Sequence, residues 1–199
     1  MWNVLRIGII YKGTGLSSRY LFTLPGIVAP PKQTYSKRKV LGYSVDQVYD
    51  VVSDVDSYSE FLPWCRESRV FQRRGNQCRG VLVVGFPPIL ERYVSDMTMI
   101  RPHSVQSDAS ADKLFKHLKT VWKLSPSATG SCLVDFHVDF QFKSSLHSKF
   151  STLFFNQVSR RMVAAFEQRC KDIYGPSVLH VRNVRVNSNS YSSSSGKRS

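Results

Sequence analysis

The stretch that decides the fold is CLVDFHVDFQF, residues 132–142. Its apolar side chains occupy every second position, and they are Cys132, Val134, Phe136, Val138, Phe140 and Phe142. Most of the positions between them are polar, among them Asp135, His137 and Asp139. Because successive side chains of a strand point to opposite faces of the sheet, this period of two predicts a strand with one covered and one wet face.

A long helix is predicted directly after this strand, from about Leu146 to Tyr174. Apolar residues recur there at every fourth position, namely Leu146, Phe150, Phe154, Val158, Met162, Phe166, Cys170 and Tyr174. Since each residue turns the helix by about 100°, a spacing of four shifts the apolar stripe by about 40° at each step. The stripe therefore winds around the helix. We expect a kink, partners on two sides, or a first half that borders a cavity mouth or a membrane.

Further elements are predicted upstream of the decisive strand. A helix begins in GYSVDQVYDVVSDV, where Ser44 and Gln47 have the spacing of a capping box. The stretch from Ser68 to Phe86 indicates a hairpin that turns at Gly75–Asn76, and ERYVSDMTMI and HLKTVWKL indicate further strands. A helix, several antiparallel strands and a long closing helix predict an α+β fold, in which a curved antiparallel sheet wraps around the C-terminal helix. Its interior is either filled by side chains or holds a pocket.

Four apolar residues in a row, Phe61, Leu62, Pro63 and Trp64, fit neither a helix face nor a half-buried strand. Pro63 is expected to end the first helical segment. The four side chains are then either an ordinary corner of the core or a wall that holds an apolar guest. GFPPIL, residues 85–90, is a second apolar loop, and its two prolines reduce the entropy that is lost when it becomes ordered.

The formal net charge of +14 is concentrated at the two ends of the chain. Residues 1–45 contain seven lysines and arginines and no acid, and residues 175–199 contain four and no acid. A nucleic-acid-binding domain normally carries its positive charge on the folded face that contacts phosphates. We therefore do not expect a nucleic-acid partner. No run approaches the roughly 18 apolar residues of a membrane-spanning helix.

Three segments follow from this distribution. The acid-free leader, with Arg, Ser and Thr among apolar residues, predicts a mitochondrial transit peptide over residues 1–32. Residues 33–176 form the predicted folded domain. The low-complexity, basic and Ser-rich stretch 177–199 predicts a disordered tail.

Catalytic and metal motifs are not recognisable in the sequence. Four cysteines, Cys65, Cys78, Cys132 and Cys170, are widely spaced and form no C-x-x-C pair, so we expect buried reduced thiols and no zinc site. The histidines accompany no G-x-S-x-G serine motif. We therefore assign no catalytic residue, no metal ligand and no catalytic cofactor, and we do not expect an enzyme.

Four stretches together resemble the mitochondrial coenzyme Q-binding proteins, which are START-like members of the polyketide cyclase-related superfamily. They are YSEFLPWCRESRV, GFPPILERYVSDMTMIRPH, KLFKHLKTVWKLSP and VDFHVDFQFKSSLHSKFSTLFFNQV, and they lie in collinear order between Tyr35 and Gly175. The resemblance implies a helix-grip START-like fold with a hydrophobic tunnel under the C-terminal helix. It also implies that ubiquinone (coenzyme Q) is the bound ligand.

Such a protein would act as a chaperone or carrier of ubiquinone, peripherally on the matrix side of the mitochondrial inner membrane. It would support the respiratory chain, and its partners would be inner-membrane lipids and proteins of respiration or quinone biosynthesis. The expected ligand-binding residues are Phe61, Leu62, Pro63, Trp64, Tyr93, Trp122, Phe136, Phe140, Met162 and Phe166. Tyr93 and His117 are the candidates for contact with the quinone ring.

Membrane contact is expected from apolar tips and from bases near the closing helix. The apolar residues are Phe86, Pro87, Pro88, Ile89, Leu90, Phe150, Phe154 and Phe155, and the bases are Lys143, Lys149, Arg160 and Arg161. Three alternatives stay open at this point. They are a cyclase-like enzyme acting on an aromatic or polyketide-type substrate, a ribosome-associated protein, and an interaction module that docks a protein on the winding stripe.

Overall fold

One sheet of seven antiparallel strands and a long C-terminal helix form the framework of the molecule. The computed structural model describes residues 32–86, 89–110, 115–143 and 145–178. The strands are β1 Gln33–Leu41, β2 Cys65–Arg74, β3 Gln77–Phe86, β4 Ile89–Ile100, β5 Ser104–Ser110, β6 Phe115–Ser127 and β7 Ser131–Phe142. The helices are α1 Val45–Ser53, α2 Tyr58–Phe61 and α3 Ser145–Tyr174. The predicted leader lies almost wholly outside the described residues, as does the tail, and both stay predictions.

The strand order is β1-β7-β6-β5-β4-β3-β2. The first strand of the chain therefore pairs with the last, and β1 and β2 form opposite edges of the sheet. Because α1 and α2 connect these two edges, they must cross from one side of the sheet to the other. In the described residues α1 packs on α3 and on strands β5, β6 and β7. The predicted α+β fold, a sheet around a closing helix, is confirmed.

The elements with strong sequence patterns lie where the patterns place them. β7 alternates as expected, with its even-numbered residues buried and its odd-numbered ones half-buried after Ser131. α3 begins at Ser145 and ends at Tyr174, close to the predicted bounds. Valines at helical spacing, Val45, Val48, Val52 and Val55, mark one face of α1, but the helix ends at Ser53 and Val55 already belongs to a short 3-10 turn. β1 and β5 have no counterpart among the predicted elements.

The start of α1 is fixed by a complete capping box. Ser44 Oγ accepts a hydrogen bond of 3.2 Å from the backbone N–H of Gln47, and the Gln47 side chain accepts one of 2.9 Å from the N–H of Ser44. Asp46 lies in the first turn, where the helix dipole favours a negative charge. This arrangement gives hydrogen-bond partners to two amide groups that a helix start would otherwise leave unpaired.

The predicted hairpin between β2 and β3 is confirmed. Arg74 pairs with Gln77, so only Gly75 and Asn76 form the turn. Gly75 has a φ of 56°, a left-handed conformation that glycine adopts without steric cost.

The core lies between the inner face of the sheet and α3. Phe136 on β7 and Phe166 on α3 are each 1% exposed. Trp122 on β6 lies between them, with ring centroids 4.5 Å from Phe136 and 4.7 Å from Phe166. The three rings therefore connect the middle of the sheet to the closing helix. Such aromatic pairs contribute about 0.5–1.5 kcal/mol each beyond the area that they bury.

Ion pairs hold the C-terminal half of α3 in place. Lys39 Nζ on β1 lies 2.5 Å from Glu167 Oε2, and Arg169 Nη2 lies 2.6 Å from Glu60 Oε2 on α2. The Arg169 guanidinium also lies over the ring of Phe61, 5.3 Å from its centroid. These contacts join α3 to the β1 edge of the sheet and to α2.

We expect Ser44→Ala to lower the free energy of unfolding by about 1 kcal/mol, because the first turn of α1 loses its side-chain cap. Chemical denaturation of the purified protein measures this difference. Ser57→Ala is the matched control, since Ser57 is the N-cap residue of α2 but its side chain makes no capping hydrogen bond. Equal effects of the two substitutions would contradict the assignment of the cap.

Candidate functional site

A cavity of about 90 Å³ lies between the inner face of the sheet, α2 and α3. Six of the ten sequence-predicted binding residues line it, namely Leu62, Trp64, Tyr93, Trp122, Met162 and Phe166. The prediction did not include its other lining residues, which are Val55, Tyr58, Cys65, Leu82, Val84, Met97, Val105, Ser107 and Thr120. The structure therefore brings together most of the residues expected at a site under the closing helix.

Strand register places the polar lining residues side by side. Met97 on β4 pairs with Ser107 on β5, and Ser107 pairs with Thr120 on β6. Directly paired residues lie on the same face of a sheet, so the three side chains form one row across the cavity wall. Thr120 could have been found from the sequence, because it lies two positions before Trp122 on one strand. Ser107 could not, because β5 has no recognisable strand pattern.

The lining residues that the structure describes include no charged side chain, and their titratable groups stay neutral. Burial raises the pKa of the Tyr58 and Tyr93 phenols above their usual range, so both keep their protons. Burial also raises the pKa of the Cys65 thiol. The Tyr58 hydroxyl donates a hydrogen bond of 2.5 Å to the carbonyl of Val52. An apolar wall with a few neutral hydroxyls is suited to a neutral and largely apolar guest.

The cavity is smaller than the tunnel that the family resemblance implies. Sites for drug-sized ligands have volumes of about 300–1,000 Å³. The aromatic rings explain the difference, because Phe166 packs edge-on against Tyr58 and Phe61 with centroid distances of 5.2 and 5.1 Å. Two methionines, Met97 and Met162, also line the space. Methionine is unbranched and adapts its shape readily, so these side chains can yield volume to a guest.

Four predicted binding residues do not line the cavity. Phe61 packs edge-on against Phe166, and Phe136 lies beside Trp122 as its direct partner on β7. Phe140 packs in a separate cluster with Phe115 and Phe142. Pro63 is exposed and lies in a surface groove beside Val158 and Arg161. For the two strand residues, periodicity fixes the face of the sheet but not the position across the sheet, and the cavity wall includes no described residue of β7. A role of these four in binding stays a prediction.

The predicted membrane-contact residues are described only in part. Leu90 is 49% exposed, and Lys143, Arg160 and Arg161 are exposed as well. Pro87 and Pro88 lie outside the described residues. The side chains of Phe86, Ile89, Lys149, Phe150, Phe154 and Phe155 lie outside the description too.

The sequence and the fold have clear counterparts among known proteins. Residues 41–167 match the family model of polyketide cyclases, dehydrases and lipid transport proteins. The chain belongs to this family. It is 47% identical over 144 residues to the mitochondrial coenzyme Q-binding protein COQ10 homolog B of Xenopus laevis, and 38% identical over 145 residues to the mitochondrial coenzyme Q-binding protein COQ10 of Drosophila melanogaster. Each match covers 71% of this chain, and the chain spans 59% and 60% of these two relatives.

A third relative is named for a different role. The ribosome association toxin RatA of Escherichia coli is 31% identical over 153 residues, which cover 77% of this chain and 94% of the toxin. Among solved structures, the 18 kDa protein CC1736 of Caulobacter crescentus is 26% identical with a TM-score of 0.60, over 72% of this chain and 99% of that protein. The Zhui aromatase/cyclase of Streptomyces has a TM-score of 0.63 at 11% identity, over 71% of this chain and 94% of that protein, and it supports the fold alone.

In the present protein, a polar cluster lies on the outer face of the sheet, opposite the cavity. His117 donates a hydrogen bond to Asp139, and Lys32 Nζ lies 3.4 Å from the same carboxylate. Ser36 Oγ lies 2.7 Å from His137 Nδ1, but His137 Nε2 lies 3.7 Å from Asp139, too far for the hydrogen bond of a serine-hydrolase triad. His117 was a candidate for contact with a quinone ring, and that is wrong for this cavity. From His117 to Trp122 the register is regular, so His117 lies on the face opposite to that of Thr120 and Trp122, which line the cavity.

The outer cluster makes stability depend on pH. Burial by itself would raise the pKa of the Asp139 carboxyl, but the hydrogen bond from His117 and the contact with Lys32 outweigh burial, so the pKa is lowered. A carboxyl whose folded-state pKa is lowered stabilises the protein above its ordinary pKa, and this contribution is lost as the pH falls through the folded-state value.

We therefore expect Asp139→Asn to lower the free energy of unfolding at pH 7 by about 1–3 kcal/mol. The difference from the wild type should shrink as the pH falls below about 4. Denaturation series between pH 7 and pH 3 measure both effects. Asp135→Asn is the control, because its pair with Arg38 is largely exposed and should contribute less than about 1 kcal/mol. A difference for Asp139→Asn that stays constant over this pH range would contradict the assignment.

Proposed function

We propose that this protein binds coenzyme Q in the cavity under α3 and acts as its chaperone or carrier at the mitochondrial inner membrane. The observation that carries the proposal is the uncharged, mostly apolar cavity with the hydroxyls of Tyr93, Ser107 and Thr120 in its wall. It occurs in a chain that is 47% identical to a coenzyme Q-binding protein. A quinone ring is neutral, and its carbonyl oxygens accept hydrogen bonds from such hydroxyls.

The chemistry of the cavity favours binding over catalysis. General acid–base catalysis uses a side chain whose pKa lies near the working pH. Among the described residues, the cavity wall contains no His, Asp, Glu or Lys, and its phenols and thiol have raised pKa values. Ubiquinone is therefore a bound ligand in this proposal and undergoes no reaction there.

The isoprenoid tail determines how the ligand must be collected. Each methylene-sized group costs about 0.8 kcal/mol to expose to water, so a long tail keeps free quinone in the bilayer. An apolar pocket and the bilayer interior are comparable solvents for the tail. The carrier therefore gains little by extracting the tail through water, and we propose that it takes up quinone while it touches the membrane.

Peripheral contact agrees with the surface near α3. No helix in the described ranges is both long and apolar enough to span a bilayer. Arg160 and Arg161 are exposed on α3, and Leu90 is exposed at the start of β4. A base near an anionic leaflet contributes about 1 kcal/mol. We place this contact on the matrix side, where the protein would serve the respiratory chain and quinone biosynthesis.

Whether the cavity binds quinone can be tested by measuring the quinone that co-purifies with the protein. Protein purified from membranes that contain ubiquinone should carry it in stoichiometric amount, as measured by solvent extraction and mass spectrometry. Thr120→Leu should reduce the bound quinone several-fold, because the larger side chain fills the cavity. Val121→Leu is the matched control, since its side chain points to the outer face and should leave the content unchanged. A folded Thr120→Leu protein with full quinone content would argue against this cavity as the site.

Membrane contact is testable by flotation with vesicles of anionic and zwitterionic phospholipid. The double substitution of Arg160 and Arg161 to Ser should weaken binding by roughly thirtyfold, which corresponds to about 2 kcal/mol. The control is the same change at Arg69 and Arg92, two exposed arginines on the outer face of the sheet. Equal losses in both variants would show that net charge, rather than this surface, determines binding.

A second candidate function is association with the ribosome. It is favoured by the match to the ribosome association toxin of Escherichia coli, of which the chain covers 94%. Co-sedimentation with ribosomes that persists at moderate salt would support it, because non-specific binding to RNA weakens steeply as the salt concentration rises. Stoichiometric quinone in the purified protein would favour the first candidate.

A further inference from the structure

One buried hydroxyl in the described residues has no hydrogen-bond partner, and it belongs to Ser95 on β4. The residue is 1% exposed. More than about 90% of buried polar groups in folded proteins are hydrogen-bonded, and an unpaired one lowers stability. The position of Ser95 therefore requires an explanation.

Ser95 lies between two cavity-lining residues on its strand, although it does not itself line the cavity. On β4 it is two residues after Tyr93 and two before Met97, and both of these line the cavity. Since alternate residues of a strand share a face, the Ser95 side chain points to the same inner side. Met97 in turn pairs with Ser107, whose hydroxyl also lines the cavity.

Gly80 on β3 is the direct partner of Ser95. A Cβ atom at Gly80 would lie 2.5 Å from Cε and 3.5 Å from Sδ of Met97. The end of the Met97 side chain therefore occupies the space that any other residue at position 80 would fill. This space borders Ser95, because directly paired residues have neighbouring side chains.

We propose that Gly80, Ser95 and Met97 form a ligand subsite that opens when the Met97 side chain moves off Gly80. The quinone ring takes the space that the thioether leaves, and the Ser95 hydroxyl donates a hydrogen bond to a ring oxygen. The subsite rests on the proposed quinone-binding function and adds the group that recognises the ring. Ser107, opposite Met97, lies on the far side of the same space, which suits a ring with acceptor oxygens at opposite positions.

Free energy favours this arrangement over a purely structural role for the hydroxyl. A buried donor without a partner destabilises the empty protein, and an acceptor on the ligand recovers that cost on binding. Met97 can move at little cost because its side chain has three rotatable bonds and no branch. The subsite also accounts for glycine at position 80, since a larger residue would push Met97 into the cavity.

The test compares two probes, a short-chain ubiquinone analogue and squalene, an isoprenoid hydrocarbon without oxygen. Ser95→Ala should weaken binding of the quinone by about tenfold, the loss expected for one hydrogen bond, and leave squalene binding unchanged. Without ligand, the thermal unfolding midpoint of Ser95→Ala should equal or exceed that of the wild type, because the substitution removes an unpaired buried hydroxyl. Binding is measured by calorimetry or by quenching of tryptophan fluorescence.

Two further variants keep the test sharp. Ser131→Ala is the matched control, because Ser131 is equally buried but lies outside the cavity and donates a hydrogen bond of 2.7 Å to the carbonyl of Ala128. It should lower the thermal midpoint and leave quinone affinity unchanged. Gly80→Ala should stay folded, since only the flexible end of Met97 opposes the new methyl group, and it should weaken quinone binding.

The outcomes separate the two proposals. If the wild type binds squalene but not the quinone analogue, the proposed function fails and the subsite with it. If the wild type binds quinone and both Ser95→Ala and Gly80→Ala bind it equally well, the subsite is overturned while the proposed function stands. Equal weakening of both probes by Ser95→Ala would also overturn it, because that result indicates a general change of shape.

Discussion

The packing of the Phe166 ring is the contact on which the rest of the structure depends. Its centroid lies 4.7 Å from Trp122 on the sheet and 5.2 and 5.1 Å from Tyr58 and Phe61 on α2. One side chain of α3 therefore joins the three parts of the molecule that surround the cavity. The same ring limits the size of the cavity. A large side chain at position 166 thus stabilises the closing helix but reduces the space for a ligand.

Sequence patterns predicted the fold where one face of an element is buried and the other is wet. β7 and α1 meet that condition, and both elements form where their sequence patterns predict them. β1 does not, because the consecutive bases Lys37, Arg38 and Lys39 interrupt any alternation. β5, with the sequence SVQSDAS, has too few apolar residues to show a period. Pairing with β7 and with β4 and β6 makes these two segments strands, and local sequence does not contain that information.

The candidate site was predictable to a similar extent. Large apolar residues at the expected face, such as Trp122 and Met162, line the cavity. Of the hydroxyl-bearing wall residues, Tyr93 was predicted, whereas Ser107 was not recognisable, because it becomes a wall residue only through its register with Met97 and Thr120. Phe136 has the correct face, but it lies on β7, one strand to the side of the cavity-lining Trp122. Periodicity therefore predicts the face of a side chain, whereas its distance from the cavity depends on strand order and register.

Without a ligand the cavity is small, because its own side chains occupy most of the space. To admit a larger ligand, some of these side chains must move. The C-terminal half of α3 is poorly suited to supply it, because ion pairs from Lys39 and Glu60 hold that half to β1 and α2. Moving it would also separate Phe166 from its aromatic partners. Met97 and Met162 are better suited, since a rotamer change breaks no hydrogen bond and leaves the aromatic contacts intact. An apolar site lined by methionine can thus remain packed without ligand and still admit a ring, which reconciles a stable closing helix with binding.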